Sequence, residues 1–171
     1  MTRKQGALSV LTLAVSAALT VASAAQAPRR QAPAPAKAAA PAAGPLQSQE
    51  TNIAGVTADL TECKRKEGVL SVKVKLRNTS DRAVQIPIVH SRQYDHFYVT
   101  AESKKYLMLK DSDGMPLAPQ WDAGGNLYVR LDKGGSYTWW AKYPAPPPEV
   151  KKINFVFPLS APFEDVPITD Q

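Results

Sequence analysis

One cysteine, Cys63, and two histidines, His90 and His96, are all that this 171-residue chain offers of the commonest metal-binding and nucleophilic side chains. A lone cysteine cannot close an internal disulfide, so the folded part must be held by its own core. No apolar run reaches the roughly 20 strongly hydrophobic residues of a membrane span. Acids are missing from the first 49 positions, where five of the 21 bases lie: Arg3, Lys4, Arg29, Arg30 and Lys37. From Glu50 onward 16 bases meet 15 acids, so the formal +6 of the whole chain falls to +1. A body that close to neutral is no electrostatic trap for nucleic acid. Also missing are a Gly-x-Ser-x-Gly elbow, a phosphate-cradling glycine loop and paired CxxC ligands. With no acid, base and nucleophile set in view, the expectation is a non-enzymatic protein without a cofactor.

What is present begins with a secretory leader. Arg3 and Lys4 precede an uncharged stretch from Ala7 to Val21, and Ala22-Ser23-Ala24 supplies a small-residue cleavage site. Residues 1–24 are read as a signal peptide, which places the mature chain outside the cytoplasm, in the periplasm or beyond, with no membrane span left after cleavage. Residues 25–49 are mostly Ala and Pro, in "AQAPRRQAPAPAKAAAPAAGPLQ". Proline blocks helix and little here can be buried, so this segment reads as an extended, disordered tether. Residues 50–171, 122 in all, then form one domain, long enough to bury about two-thirds of its unfolded surface.

Period-two alternation dominates that domain. In "GVLSVKVKLRNTSD", Leu70, Val72, Val74 and Leu76 alternate with Ser71, Lys73, Lys75 and Arg77, the pattern of a half-buried strand. Val56, Ala58 and Leu60 alternate upstream, and Lys66-Glu67-Gly68 closes a hairpin between the two runs. "AVQIPIV" carries Pro87, which cannot donate to a ladder and belongs at an edge or a bulge. "HFYVTA", "KYLMLKD", "NLYVRLD", "SYTWWAKY", "KINFVFP" and "FEDVPI" follow, separated by Asp-Gly and Gly-Gly turns. Roughly seven to nine short strands and no sustained helical period point to an all-β antiparallel sandwich of immunoglobulin-like architecture, with a closed barrel as the alternative.

"LSVKVKLRNTSDRAVQIP" and the closing "WWAKYPAPPPEVKKINFVFPLSAPFEDVPI" resemble the second and third strands and the end of uncharacterised exported bacterial immunoglobulin-like domains. The resemblance spans roughly Gly55 to Thr169. It implies the sandwich fold and an envelope setting, since some of that group accompany outer-membrane-associated or peptidoglycan-associated modules. It transfers no catalytic residue.

Five constellations bear on chemistry. Cys63 beside Lys64 and Arg65 could carry a lowered thiol pKa, against a plain thiol on a sheet. His90, His96, Met108 and Met115 could suit copper, but their spacing is unspecific and Met108 fits a packed strand. Asp111, Asp113 and Asp122 match three positions of a calcium loop, yet Pro116 stands where that loop needs glycine, so a tight Asp-Gly turn is preferred. Basic runs at Lys64-Arg65-Lys66 and Lys151-Lys152 read as solvated strand ends. No metal is expected.

The fifth constellation is aromatic. Adjacent residues of a strand point to opposite faces, so Trp139 and Trp140 cannot share a surface. Trp139 is expected in the core and Trp140 outward, unless a bulge after Gly135 reverses the parity. The prolines after them read as a stiff crossover without donors. The expected function is an accessory or binding module of the bacterial cell envelope, contacting an envelope protein or a cell-wall glycan. Trp140, with Tyr128 and Tyr143, is the candidate contact set. A glycan- or peptidoglycan-binding module using these exposed aromatics is the alternative.

Overall fold

The computed structural model describes residues 44–171; the expected leader at 1–24 and the tether as far as residue 43 lie outside the described residues. The described residues contain no helix and eleven strands. These are β1 (Gln47–Glu50), β2 (Val56–Lys66), β3 (Val69–Asn78), β4 (Val84–Val89), β5 (Tyr98–Ala101) and β6 (Lys104–Tyr106). The remainder are β7 (Leu127–Leu131), β8 (Ser136–Pro144), β9 (Lys152–Val156), β10 (Phe163–Pro167) and β11 (Thr169–Asp170). One sheet runs β1-β2-β3-β8, with β11 added in parallel beside the end of β2. A second runs β10-β9-β5-β6, and β4 pairs only with β7. All pairings but β11 with β2 are antiparallel, and the open sheet ends rule out the closed barrel.

The β2–β3 hairpin forms where the alternation predicts it. Glu67 and Gly68 both have positive φ, 50° and 77°, the two-residue turn whose twist matches its flanking strands. Glycine is needed at the second position, whereas Glu67 bears a strained conformation. The "NTSD" turn closes on Asn78, whose side-chain oxygen accepts from Ser80 N at 3.0 Å and Ser80 Oγ at 2.6 Å. Its amide donates to the carbonyls of Arg82, Leu131 and Asp132, so a buried polar group is satisfied while it ties β3 to the β7–β8 turn. Pro87 sits in the two-stranded ribbon, and the register with β7 shifts between Pro87 and Val89, as a missing donor requires.

Both main sheets bury aromatics in one shared core. Trp139 of β8 stacks on Phe97 and Phe155, with centroids 5.1 and 6.0 Å apart, and meets Phe157 edge-on at 5.4 Å. Tyr143 packs edge-on against Phe155, and Phe155 stacks on Phe163. These contacts join β8 of the first sheet to β9 and β10 of the second, the arrangement of a β-sandwich. Such aromatic pairs stabilise by about 0.5–1.5 kcal/mol each beyond the area they bury.

Three expectations about elements need correction. The tether does not run to residue 49, because Gln47–Glu50 pairs with Leu60–Thr57 of β2. All four residues of β1 are polar, and its hold is backbone bonding plus side-chain bonds: Gln47 Nε2 donates to Glu164 O, Ser48 Oγ to Asp59 Oδ1 and Gln49 Nε2 to Pro162 O. "KYLMLKD" is not a full strand: β6 stops at Tyr106, and the chain then folds back so that Leu117 N donates to Leu109 O. The third concerns β2, whose alternation slips. Val56, Ala58 and Leu60 are buried, but so are Cys63 and Arg65, because a bulge between Leu60 and Glu62 moves inward positions from even to odd numbers.

Candidate functional site

The bulge in β2 decides which charges reach the outer face of the first sheet. After it, Glu62, Lys64 and Lys66 point outward. On β3 the outward residues are Val69, Ser71, Lys73, Lys75 and Arg77; on β8 they are Ser136, Thr138, Trp140, Lys142 and Pro144. The β3–β8 register is unbroken from Val69↔Pro144 to Arg77↔Ser136, so no bulge reverses parity at the tryptophans. Trp139 is fully buried and Trp140 is 38% exposed, as the alternation anticipates.

Register then sets the neighbours of Trp140. Lys73 lies directly opposite it on β3, and Glu62 of β2 lies opposite Lys73. Lys142 follows two residues along β8, facing Ser71. The Glu62 carboxylate meets Lys73 Nζ at 3.1 Å and Lys64 Nζ at 3.6 Å. Beside this row lies a hollow of about 430 Å³ lined by Glu62, Ser71, Lys73, Trp140 and Lys142. The hollow exists because Ser71 is short where its neighbours are long. The rim strand is stiffened by a loop: Leu109 N donates to Lys142 O, and Lys142 N donates to Leu117 O.

The structure does not assemble the three aromatics named from sequence. Tyr128 is 46% exposed but belongs to β7, opposite Pro87 in the separate ribbon. Tyr143 is fully buried and cannot touch a surface ligand; it shares the inward parity of Trp139. Its hydroxyl has no hydrogen-bond partner among the described residues, and burial drives its pKa well above the ordinary tyrosine value. Trp140 alone of the three stands beside a hollow.

Arg65 is a second feature, which sequence reasoning misread as part of a solvated basic end. Its side chain is nearly buried and collects the carbonyls of the proline crossover. Nη1 donates to Pro146 O, Pro147 O and Val150 O at 3.1, 2.6 and 3.2 Å, and Nη2 donates to Pro148 O at 3.2 Å. Nε and Nη2 also meet the two oxygens of Asp170 at 2.6 and 3.1 Å, which holds β11 in place. The guanidinium lowers the Asp170 carboxyl pKa, chiefly through these hydrogen bonds. The prolines are therefore a crossover whose unpaired carbonyls converge on one cation. The available signal is the parity slip from Leu60 to Cys63.

Asp59 is also buried, on the outward parity of β2, under Arg77 and Ser48. Burial would raise its carboxyl pKa, but hydrogen bonds from Arg77 and Ser48, with the charges of Arg77 and Lys75, outweigh it and hold the value low.

The remaining sequence candidates find structural roles. Burial pushes the Cys63 thiol up to about 12, and the nearby Arg65 charge opposes this without reversing it, which agrees with the plain thiol on a sheet rather than with an activated one. Asp111 Oδ1 accepts from the backbone N–H groups of Asp113 and Met115, and Asp122 Oδ1 does the same for Gly124 and Asn126. Both carboxylates thus close local turns. His90 and His96 are exposed and Met108 is buried. Among the described residues, no three His, Cys, Asp or Glu side chains gather where they could hold a metal ion.

No protein-family model, curated protein or solved structure matches the chain.

Proposed function

We propose that this protein is an exported, non-enzymatic binding module of the bacterial cell envelope, and that it binds through the outer face of the β2-β3-β8 sheet around Trp140. The observation that carries the reading is a large aromatic side chain, 38% exposed, beside a hollow of about 430 Å³ on a sheet face that otherwise carries mostly charged and small polar side chains. Surface tryptophan at the wall of a concavity is the residue type that most often dominates a binding interface. Export is supported by the order of basic, apolar and small residues at the N-terminus. An immunoglobulin-like sandwich is supported by β2-β3-β8 packing against β10-β9-β5, three neighbouring strands in each layer joined through one core. The nearly buried guanidinium and the low-pKa aspartates serve the fold in this reading, and the face needs no catalytic group.

The test is co-sedimentation of the full chain with washed envelope fragments. Retention of the native chain and its loss in Trp140→Ala, with an unchanged melting curve, is the expected result. Equal retention of both chains would remove Trp140 from the binding surface.

A further inference from the structure

We propose that the trough beside Trp140 binds an acidic glycan, a sugar chain bearing carboxylates. This rests on the reading of that face as the binding surface. The hollow beside Trp140 does not end at Ser71. A second hollow of about 230 Å³, bounded by Lys66, Glu67, Val69, Ser71 and Lys142, adjoins it, and the two share Ser71 and Lys142. Together they follow β3 from Val69 to Lys73, a rise of ~13 Å at the usual spacing per residue. That is long enough for more than one sugar ring.

The chemistry of the walls selects the occupant. Trp140 offers a broad apolar plane with its polar N–H at one edge, suited to the C–H face of a pyranose. Lys66, Lys73 and Lys142 rim the trough against Glu62 and Glu67, an excess of one positive charge, and Lys64 stands next to it across from Ser71. Glu62 is already engaged by Lys64 and Lys73, whereas Lys66, Lys142 and Glu67 form no ion pair among the described residues, two positive charges against one negative. A carboxylate on the sugar would balance the positive charge that Glu67 leaves over, which a neutral sugar cannot do. An acidic peptide could supply the charge, but the trough lies over β3, which is paired on both sides by β2 and β8. It therefore offers an added strand no free main-chain groups, the usual source of affinity for extended peptides. Stacking plus carboxylate–ammonium pairing is what the face provides.

The experiment titrates the full chain with trigalacturonic acid, maltotriose and a hexaglutamate peptide, read by calorimetry and tryptophan fluorescence. Trigalacturonic acid should bind saturably and more weakly as salt rises, and the other two should not saturate. Lys142→Gln, and Ser71→Ile, which fills the trough, should each weaken binding by about tenfold or more, the scale of a hot-spot truncation. Lys142→Gln is the control for fold, since its side chain is exposed. Equal binding of maltotriose would overturn the requirement for charge, and equal binding of hexaglutamate the requirement for sugar. Absence of trigalacturonic acid binding, with envelope retention still dependent on Trp140, would refute the ligand class and leave the binding face standing. Absence of both would refute the two together.

Discussion

Replacing Arg65 with lysine separates charge from geometry at the proline crossover. The guanidinium makes four contacts to carbonyls of residues 146–150 and two to the Asp170 carboxylate. A lysine ammonium keeps the charge but has three donors on one point, so it cannot serve both groups. Hydrogen bonds to charged groups contribute about 1.5–3 kcal/mol each when isolated, and less as members of one cluster. Asp170 is largely exposed, so its ion pair is screened and adds little. The buried carbonyl contacts, to Pro146 and Val150, are the costly ones to lose, since those oxygens become unsatisfied at about 1–3 kcal/mol each. Arg65→Lys should therefore destabilise by about 2–4 kcal/mol, a large part of the roughly 5–15 kcal/mol of a typical domain. Urea unfolding measures this through the midpoint at constant slope, and limited proteolysis should show new cleavage between Pro144 and Val150. A midpoint unchanged from the native chain would refute the claim that one fork of donors organises the crossover.

Three other outcomes follow from burial. Trp139→Ala should cost about 3–5 kcal/mol because it empties the centre of the aromatic core, whereas Trp140→Ala should change stability by no more than about 0.5 kcal/mol; thermal melts of both check this. Tyr143→Phe should be neutral or slightly stabilising, because it removes a buried hydroxyl that has no partner among the described residues. With its pKa raised in the fold, Tyr143 contributes stability that is complete below the unfolded value of about 10 and is lost as pH rises above it. Tyr143→Phe should then flatten the alkaline fall seen in melts between neutral pH and pH 11. Asp59, with a lowered pKa, contributes stability present above the unfolded value of about 3.9 and lost as pH falls through the folded value, so Asp59→Asn should weaken the acid dependence of unfolding.

The inward and outward sets of β3 and β8 were readable because side-chain parity on a regular strand is a two-state property that alternation reports directly. The same rule misled on β2, where one extra residue after Leu60 moves Arg65 from water to the interior. A bulge leaves no residue signature beyond that slip, and a basic triplet invites the solvated reading. β1 was hidden by its polar residues, since a strand held by backbone bonds at a sheet edge need not alternate. Tyr143 was misassigned against its own parity, which equals that of Trp139. The candidate trough was invisible in sequence for a different reason. It is defined by which of three strands lie side by side and by a short Ser71 among long neighbours, and both follow from cross-strand register.

Lysine footprinting tests the binding face most directly. The full chain would be labelled with an amine-reactive reagent, alone and with washed envelope fragments, and the extent of labelling at each lysine read by mass spectrometry. The account predicts protection of Lys66, Lys73 and Lys142, which rim the trough, and unchanged labelling of Lys104 and Lys152 on the opposite sheet. Protection confined to Lys104 and Lys152, or absent from every lysine, would contradict it.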